Sequence, residues 1–411
     1  MDFNLTDEQR ELKETAHKFA RAELPALARD MEEKDYPVPH DMLRTYGEMG
    51  FLGVNLPEEY GGLGLGHIEA LLVLEEFAQV SNAVAFPVFE ALTGPVRTIE
   101  RFGSDEMKAK ILPEVIRGEK IVAVSMSEPD AGTALTDLTT KAVADGNGYV
   151  VNGYKRWTSG GGHSDYYVTY CRFTDEPGAK GIGAILLERD MEGLQFGKRE
   201  ELMGFRGIPT ADFAIEDVKV PGENVIIGAG GFGKLMSAFG LERCGNATQS
   251  LAVAAAALEQ ALEYTQEREA FGKPIVDFQA VQLKLSEMAM KVEAARLLIH
   301  RAAVKAAKKV VKADLIQSRC GGEAGYMTAQ LVIAGICPNH HSHGVPADTG
   351  ADATLEVHVP WQGFFIFRGD GVAIGGGDLG WDGRSRIGCR VHEFFEQKTG
   401  ALFAAVVHDV R

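Results

Sequence analysis

Three groups of residues have types and spacings that could do chemistry. The run Ser127-Glu128-Pro129-Asp130-Ala131-Gly132-Thr133 is followed by Lys155-Arg156-Trp157-Thr158-Ser159. Hydroxyls at Ser127, Thr133 and Ser159 with an indole at Trp157 would give donors for a polar heteroaromatic ring and a flat surface to cover it. By composition alone, a satisfied structural turn is the simpler reading of the first run. Further on, Gly228-Ala229-Gly230-Gly231-Phe232-Gly233-Lys234 fits two glycine patterns at once, the dinucleotide G-x-G-x-x-G and the phosphate-loop G-x-x-x-x-G-K. The phosphate loop needs Ser or Thr after its lysine and finds Leu235; the dinucleotide pattern needs an acid about 20 residues on and finds Ser250-Leu251-Ala252. A flexible turn entering a helix is the better reading. The third group, Cys337-Pro338-Asn339-His340-His341-Ser342-His343, puts sulfur and imidazole close together, but its spacing fits no zinc pattern and no second ligand pair follows, so no metal is expected.

The elements that must position these groups change texture along the chain. Thr6-Asp7-Glu8-Gln9 has capping-box spacing, and Leu12, Ala16 and Phe19 recur at helical intervals until Pro25 breaks the pattern. Helical spacing returns between Leu43 and Gly53 and between Ile68 and Val80, punctuated by Pro57-Glu58-Glu59-Tyr60-Gly61-Gly62. From about residue 121, short β-branched and aromatic runs predict strands at 121–124, 149–151, 166–170 and 182–187, with a turn at Asp145-Gly146-Asn147-Gly148. Long helical periodicity resumes from about Leu235 to Glu269 and from about Phe278 to Lys309. The order helices, strands, helices predicts an α+β chain: an N-terminal helical domain over 1–120, a middle antiparallel β domain over 121–232 and a C-terminal helical domain over 233–309.

The whole composition is that of an acidic globular protein. With 411 residues, 45% of them apolar, the chain can bury a sizeable core. A formal charge of −16 argues against general nucleic-acid binding, which needs clustered Lys and Arg. No apolar run approaches the roughly 18 residues that span a bilayer, and the start lacks a basic segment followed by an apolar one, so a cytoplasmic location is expected. Five scattered cysteines make a disulfide framework improbable.

Read together, Thr6 to Arg10, the 57–62 turn, Ser127 to Thr133, Lys155 to Ser159, and Arg268-Glu269-Ala270-Phe271-Gly272-Lys273-Pro274-Ile275 with Gln279 resemble the acyl-CoA dehydrogenase family in order and spacing. The resemblance covers about residues 4–309. It implies FAD enclosed by three domains, an acyl-CoA substrate, electron-transfer flavoprotein as electron acceptor and a homotetramer built as a dimer of dimers, or a homodimer. Ser127 and Ser159 would hydrogen-bond the flavin ring, Trp157 would cover it, and Thr133 would lie near phosphate and pantetheine. This chain has Ser where relatives often have Thr, which keeps the donor and loses a methyl. Arg268, Phe271 and Gln279 match residues that reach the adenine-diphosphate end of FAD in a neighbouring subunit.

The resemblance also implies a catalytic base. Family members use a glutamate either from a helix before the cofactor loop or from a C-terminal Glu-Gly-Thr segment. Leu241-Glu242-Arg243 matches the helix position and no Glu-Gly-Thr stands near the C-terminus, so Glu242 is the expected base and Arg243 the residue near the substrate thioester. A thioester α-proton is too weak an acid for an ordinary solvated carboxylate. The site must therefore raise the base by drying it and stabilise the developing enolate. The run Arg243-Cys244-Gly245-Asn246-Ala247 resembles enzymes for branched or bulky acyl groups, which makes a branched or aryl-substituted thioester the expected substrate.

Residues 310–411 depart from the family. They hold 16 of the 48 glycines, 6 of the 11 histidines and 3 of the 5 cysteines, with only Lys312 and Lys398 as lysines, which suits no helix bundle. Back-translated and read one base later, residues 354–363 can, with a suitable choice among the permitted codons, give Pro-Trp-Arg-Cys-Met-Phe-Arg-Gly-Lys, close to the family's Met-Phe-Arg-Asp-Ala-Lys stretch. Met327-Thr328 read that way gives a stop, so a single shift at 310 does not explain the tail. One or more frame errors between about 310 and 354 is the reading this supports, and a resequenced frame from codon 305 to 370 tests it. The alternative is a genuine tail on a catalytically inactive relative.

Overall fold

The computed structural model describes residues 4–307, 366–368 and 371–373. The first helix, α1 (Asp7–Lys34), starts at the anticipated capping box: the Gln9 amide donates to Thr6 Oγ1 and the Thr6 amide to Gln9 Oε1. Pro25 does not end it, contrary to the sequence expectation. An interior proline costs about 3 kcal/mol, whereas Ala16, Ala20, Leu24 and Met31 are all fully buried along one face on both sides of it. Burial of Leu24 and Met31 at roughly 1.5–3 kcal/mol each, with the two alanines packed alongside, offsets the missing hydrogen bond.

Five more helices complete the N-terminal layer: α2 (His40–Glu48), α3 (His67–Val80), α4 (Asn82–Leu92), α5 (Val96–Phe102) and α6 (Asp105–Ile116). Helices α3 and α4 are apolar on most sides, and nine consecutive residues of α3 from Ala70 to Ala78 are buried, so these helices are enclosed by their neighbours.

Eight strands follow: β1 (Val122–Ser125), β2 (Lys141–Asp145), β3 (Gly148–Ser159), β4 (Tyr166–Arg172), β5 (Ile182–Glu188), β6 (Leu194–Arg199), β7 (Thr210–Pro221) and β8 (Val225–Ile227). They form one sheet in the order β6-β7-β3-β2-β4-β5-β8, with β1 on β4. The sheet is not wholly antiparallel as the sequence suggested: β1 runs parallel to β4, and β2 meets β4 in parallel at Lys141 and Arg172. The long chain between β1 and β4, which includes the β2–β3 hairpin, supplies the crossover that a parallel pair requires. Alternation on β4 explains the burial of all its residues but Arg172. Tyr166, Val168 and Tyr170 enter the core shared with the helices, while Tyr167 and Cys171 enter a second core on the opposite face.

Two long helices close the described part. Helix α7 (Phe232–Glu267) turns back through a small hairpin, β9 (Glu269–Ala270) and β10 (Lys273–Pro274), into α8 (Gln279–Ala307). Arg296 of α8 donates to the buried carboxylate of Glu75 on α3 at 2.8 Å, fixing α8 against the N-terminal layer. Separately, β11 (Ile366–Arg368) and β12 (Gly371–Ala373) pair antiparallel. The Cys337–His343 run and the rest of the unusual tail lie outside the described residues.

Candidate active site

Helix α7 brings its carboxylate to the interior because one residue lets it come close. A Cβ on Gly245 would stand 2.2 Å from Thr93 Oγ1 and 2.9 Å from Phe89 on α4, so only glycine permits this crossing. One turn earlier on α7, Glu242 is 8% exposed. Burial pushes its carboxyl up to about 8, against a smaller lowering by the neighbouring Arg243 guanidinium. Arg243 is half-buried, with its guanidinium 4.7 Å from the Phe239 ring centroid. Tyr170, projecting from β4 into the same core, feels both charges, and burial drives its hydroxyl far above the usual range.

Sequence reasoning missed the second carboxyl here. Glu90 on α4 is buried, and burial first and then the charge of Glu242 raise it well above the carboxylate range. The signal was present: an acid inside the apolar run Ala83 to Leu92 can only be solvated by leaving its helix face or by entering a site. Burial, and after it the charge of Glu242 when ionised, favour the protonated form of Glu90. Glu90 also lines a narrow cleft with Phe86, Pro87, Gly160, Ser164 and Ile208.

The two runs with hydroxyls and indole do meet. The Arg156 amide donates to the Ser127 carbonyl at 2.9 Å, placing the 127–133 turn beside the end of β3. A bulge in the β3–β7 pairing between Lys155 and Thr158 turns Trp157 out of the ladder, with φ of +52° and its amide donating to Asp212 Oδ1 at 2.7 Å. A bulky residue in the left-handed region is strained, and such strain is kept where a site needs the side chain aimed. Asp212, a second residue missed by sequence, also draws Arg156 over the indole, its guanidinium 4.6 Å from the ring centroid. Ser127, Trp157 and Ser159 are half-buried, and the two serine hydroxyls make no hydrogen bond among the described residues. Gly132 has nothing within 4 Å of its would-be Cβ, and Thr133 beside it is exposed. Free hydroxyls, an aimed indole and an open glycine turn are the features a flavin ring and its phosphates require, so these residues fit that group.

Arg268, Phe271 and Gln279 form another place altogether. Arg268 caps the far end of α7, about 39 Å along the helix axis from Glu242 at 1.5 Å per residue. Phe271 and Gly272 are the two turn residues of the β9–β10 hairpin, both at positive φ, and Phe271 is 97% exposed. Arg268 and Gln279 are exposed beside it. Within one chain this group is not brought to Glu242. The glycine run at 228–234 lies between β8, an edge strand antiparallel to β5, and the start of α7, with the Gly230 amide donating to the Lys180 carbonyl. It is a turn into a helix and has no βαβ unit. Among the described residues no three His, Cys, Asp or Glu side chains gather as metal ligands, and no helix is long and apolar enough to cross a membrane.

A helical layer, a middle sheet with unpaired serine hydroxyls and an indole beside it, and a long helix carrying a buried carboxyl make up the candidate site. The chain matches the acyl-CoA dehydrogenase N-terminal domain over residues 6–119, the middle domain over 123–218 and the C-terminal domain over 229–317. Mitochondrial isobutyryl-CoA dehydrogenase of Dictyostelium discoideum is 35% identical over 302 residues, covering 73% of this chain and 72% of that protein. A structure of glutaryl-coenzyme A dehydrogenase in complex with glutaryl-CoA superposes with a TM-score of 0.76 at 30% identity, covering 83% of this chain and 88% of that one. A structure of the FAD complex of PigA gives a TM-score of 0.73 at 26% identity, covering 80% and 88%. The chain belongs to the acyl-CoA dehydrogenase family.

Proposed function

We propose that this protein desaturates an acyl-CoA thioester between Cα and Cβ, with Glu242 as the base that takes the α-proton. The observation that carries the proposal is the buried Glu242 carboxyl on α7, held up to about 8. Dry surroundings raise its affinity for a proton toward the range useful for general-base work, and Arg243 keeps a compensating positive charge alongside. Glu90 accommodates the arrangement by staying protonated when Glu242 ionises. Ser127 and Ser159 would hold the flavin ring by hydrogen bonds, Trp157 would cover it, and Thr133 would lie at the phosphates. Bound FAD supplies the two-electron acceptor for the β-hydrogen. Arg243 would sit near the thioester, and the substrate class we favour is a branched or aryl-substituted acyl group.

Assembly into a homotetramer or homodimer, with Arg268, Phe271 and Gln279 reaching the FAD of a neighbouring copy, has support of its own. Phe271 is almost fully exposed, and on α8 Leu283, Met290, Leu297 and Val304 recur every seven residues with exposures of 64%, 66%, 39% and 42%. A seven-residue apolar repeat suits a second helix. Electron-transfer flavoprotein as acceptor and a cytoplasmic setting complete the reading. We retain 1–120, 121–232, 233–309 and 310–411 as its division of the chain.

The test is anaerobic mixing of the purified full chain with a panel of acyl-CoA thioesters while the flavin absorption is followed. Bleaching that Glu242→Gln abolishes without loss of colour is the expected outcome; bleaching retained in that variant moves the base elsewhere. The composition of residues 310–411 favours one second reading, a catalytically inactive relative. A coloured protein that no thioester bleaches, from a confirmed gene, would establish it.

A further inference from the structure

Beside the residues proposed to face the flavin lies a buried ion pair that takes no part in proton transfer. Lys155 is 0% exposed and Glu128 6%. Lys155 Nζ donates to Glu128 Oε1 at 2.7 Å and to the Met126 carbonyl at 3.2 Å. Glu128 Oε1 also accepts from the Thr140 amide at 3.0 Å, while Oε2 accepts from the Thr139 amide at 2.6 Å and the Thr139 hydroxyl at 2.8 Å. Burial pushes the Glu128 carboxyl up, but Lys155 and these donors overcome that and hold it at about 2. Burial lowers the Lys155 ammonium, and the Glu128 carboxylate works against that lowering, so each charge supports the other.

Taking two charges out of water is costly, and apolar residues of similar volume usually serve stability as well or better. What such a pair can do and an apolar pair cannot is fix direction. Glu128 directly follows Ser127, and Lys155 stands two residues before Trp157 and four before Ser159. Lys155 holds the carbonyl on one side of Ser127, at Met126, while the Arg156 amide holds the carbonyl of Ser127 itself. The pair also ties in the 139–140 segment, which would otherwise be free to drag the turn away. These bonds join three segments, 126–128, 139–140 and 155–156, that adjoin Ser127, Trp157 and Ser159 in the chain or in the sheet.

We infer that Lys155 and Glu128 are positioning residues for the flavin: through the Met126 carbonyl and the Thr139–Thr140 amides they set the separation and angle of Ser127, Trp157 and Ser159. The inference rests on the flavin reading above. It assigns to the buried pair the geometry of the ring site, distinct from the stability of the fold.

The experiment titrates the apo form of the full chain with FAD, reading the dissociation constant by flavin fluorescence and the environment of the ring by its visible absorption band. Glu128→Gln keeps size and one acceptor oxygen but removes the charge; Lys155→Met removes the ammonium and keeps the stem. Ile185→Ala, in the second core of the sheet and fully buried, serves as a variant of fold stability alone. Glu128→Gln and Lys155→Met should weaken FAD binding by about tenfold or more and alter the band's shape. Ile185→Ala should lower the thermal midpoint while leaving binding within about threefold of the parent. If Lys155→Met fails to fold, Glu128→Gln carries the test. Wild-type affinity and band shape in Glu128→Gln, or a loss no larger than that of an equally destabilised Ile185→Ala, overturns the inference. A parent chain that takes up no FAD at all overturns the flavin reading instead.

Discussion

The two ends of helix α7 live in different solvents. From Leu235 to Ala254 its inward residues are almost all buried, and Glu242 sits among them. Beyond Ala254 only Thr265 is buried, Leu262 and Tyr264 stand exposed, and the helix ends at Arg268 beside a fully exposed Phe271. The inner end is finished by its own chain, through α3, α4 and the sheet. The outer end presents apolar surface and, at Phe271, a left-handed backbone. One continuous element therefore carries both a dry carboxyl and an exposed apolar end, and the two should respond to different perturbations.

The sharpest way to separate them is to remove the inner carboxylate. Glu242→Gln should slow substrate-dependent flavin bleaching by about 10²–10⁴-fold, the usual worth of a general base, with FAD content unchanged. The same substitution should alter how stability depends on pH. A carboxyl held at about 8 when folded keeps a proton that the unfolded chain, at about 4.5, has lost. Its contribution is thus fully present below about 4.5 and falls away as pH rises toward about 8. The thermal midpoint of the parent should fall relative to Glu242→Gln across that window, by the equivalent of about 3–5 kcal/mol at its upper end. A gap that stays constant with pH would mean that the carboxyl is solvated.

Breaking the close approach should harm the inner end alone. Gly245→Val places branched carbons where α4 already stands and should destabilise the protein by roughly 1–3 kcal/mol in denaturant unfolding. The outer end should tolerate change as a single chain and fail as an assembly. Leu283→Glu with Leu297→Glu should leave the unfolding midpoint of the subunit within about 0.5 kcal/mol of the parent and shift the sedimentation profile toward monomer. An unchanged profile removes this face from any interface. Smallest of all, Phe271→Gly relieves a left-handed φ and should be neutral or stabilising by up to about 1 kcal/mol, while weakening FAD retention if the tip serves a neighbouring copy.

Much of this architecture could be read from local spacing. The capping box at Thr6, the helical runs of α3, α7 and α8, and the turn at Gly146 and Asn147 depend on residues within a few positions of one another, and each lies where the spacing put it. Pro25 misled because the energy that carries α1 through it comes from side chains packed by distant helices. Parallel pairing of β1 with β4 was equally invisible, since neither strand's composition reports its neighbour's direction. At the site, Ser127, Trp157, Ser159 and Glu242 were picked out by motif, whereas Glu90, Asp212 and the Lys155–Glu128 pair were not singled out. Their importance arises from what faces them: a second carboxyl, a bulged backbone amide and a buried countercharge.

What the sequence determined by itself was the order helices, strands, helices, several of the elements and the family to which they belong, because periodicity and motif spacing are properties of neighbours along the chain. Only the tertiary structure decided that Glu242 is dry, that Trp157 is turned out of its strand, and that Arg268 and Phe271 stand about seven helical turns from the carboxylate. Burial, dielectric surroundings and backbone direction are set by contacts between segments far apart in sequence, and those contacts are what raise this glutamate's affinity for a proton.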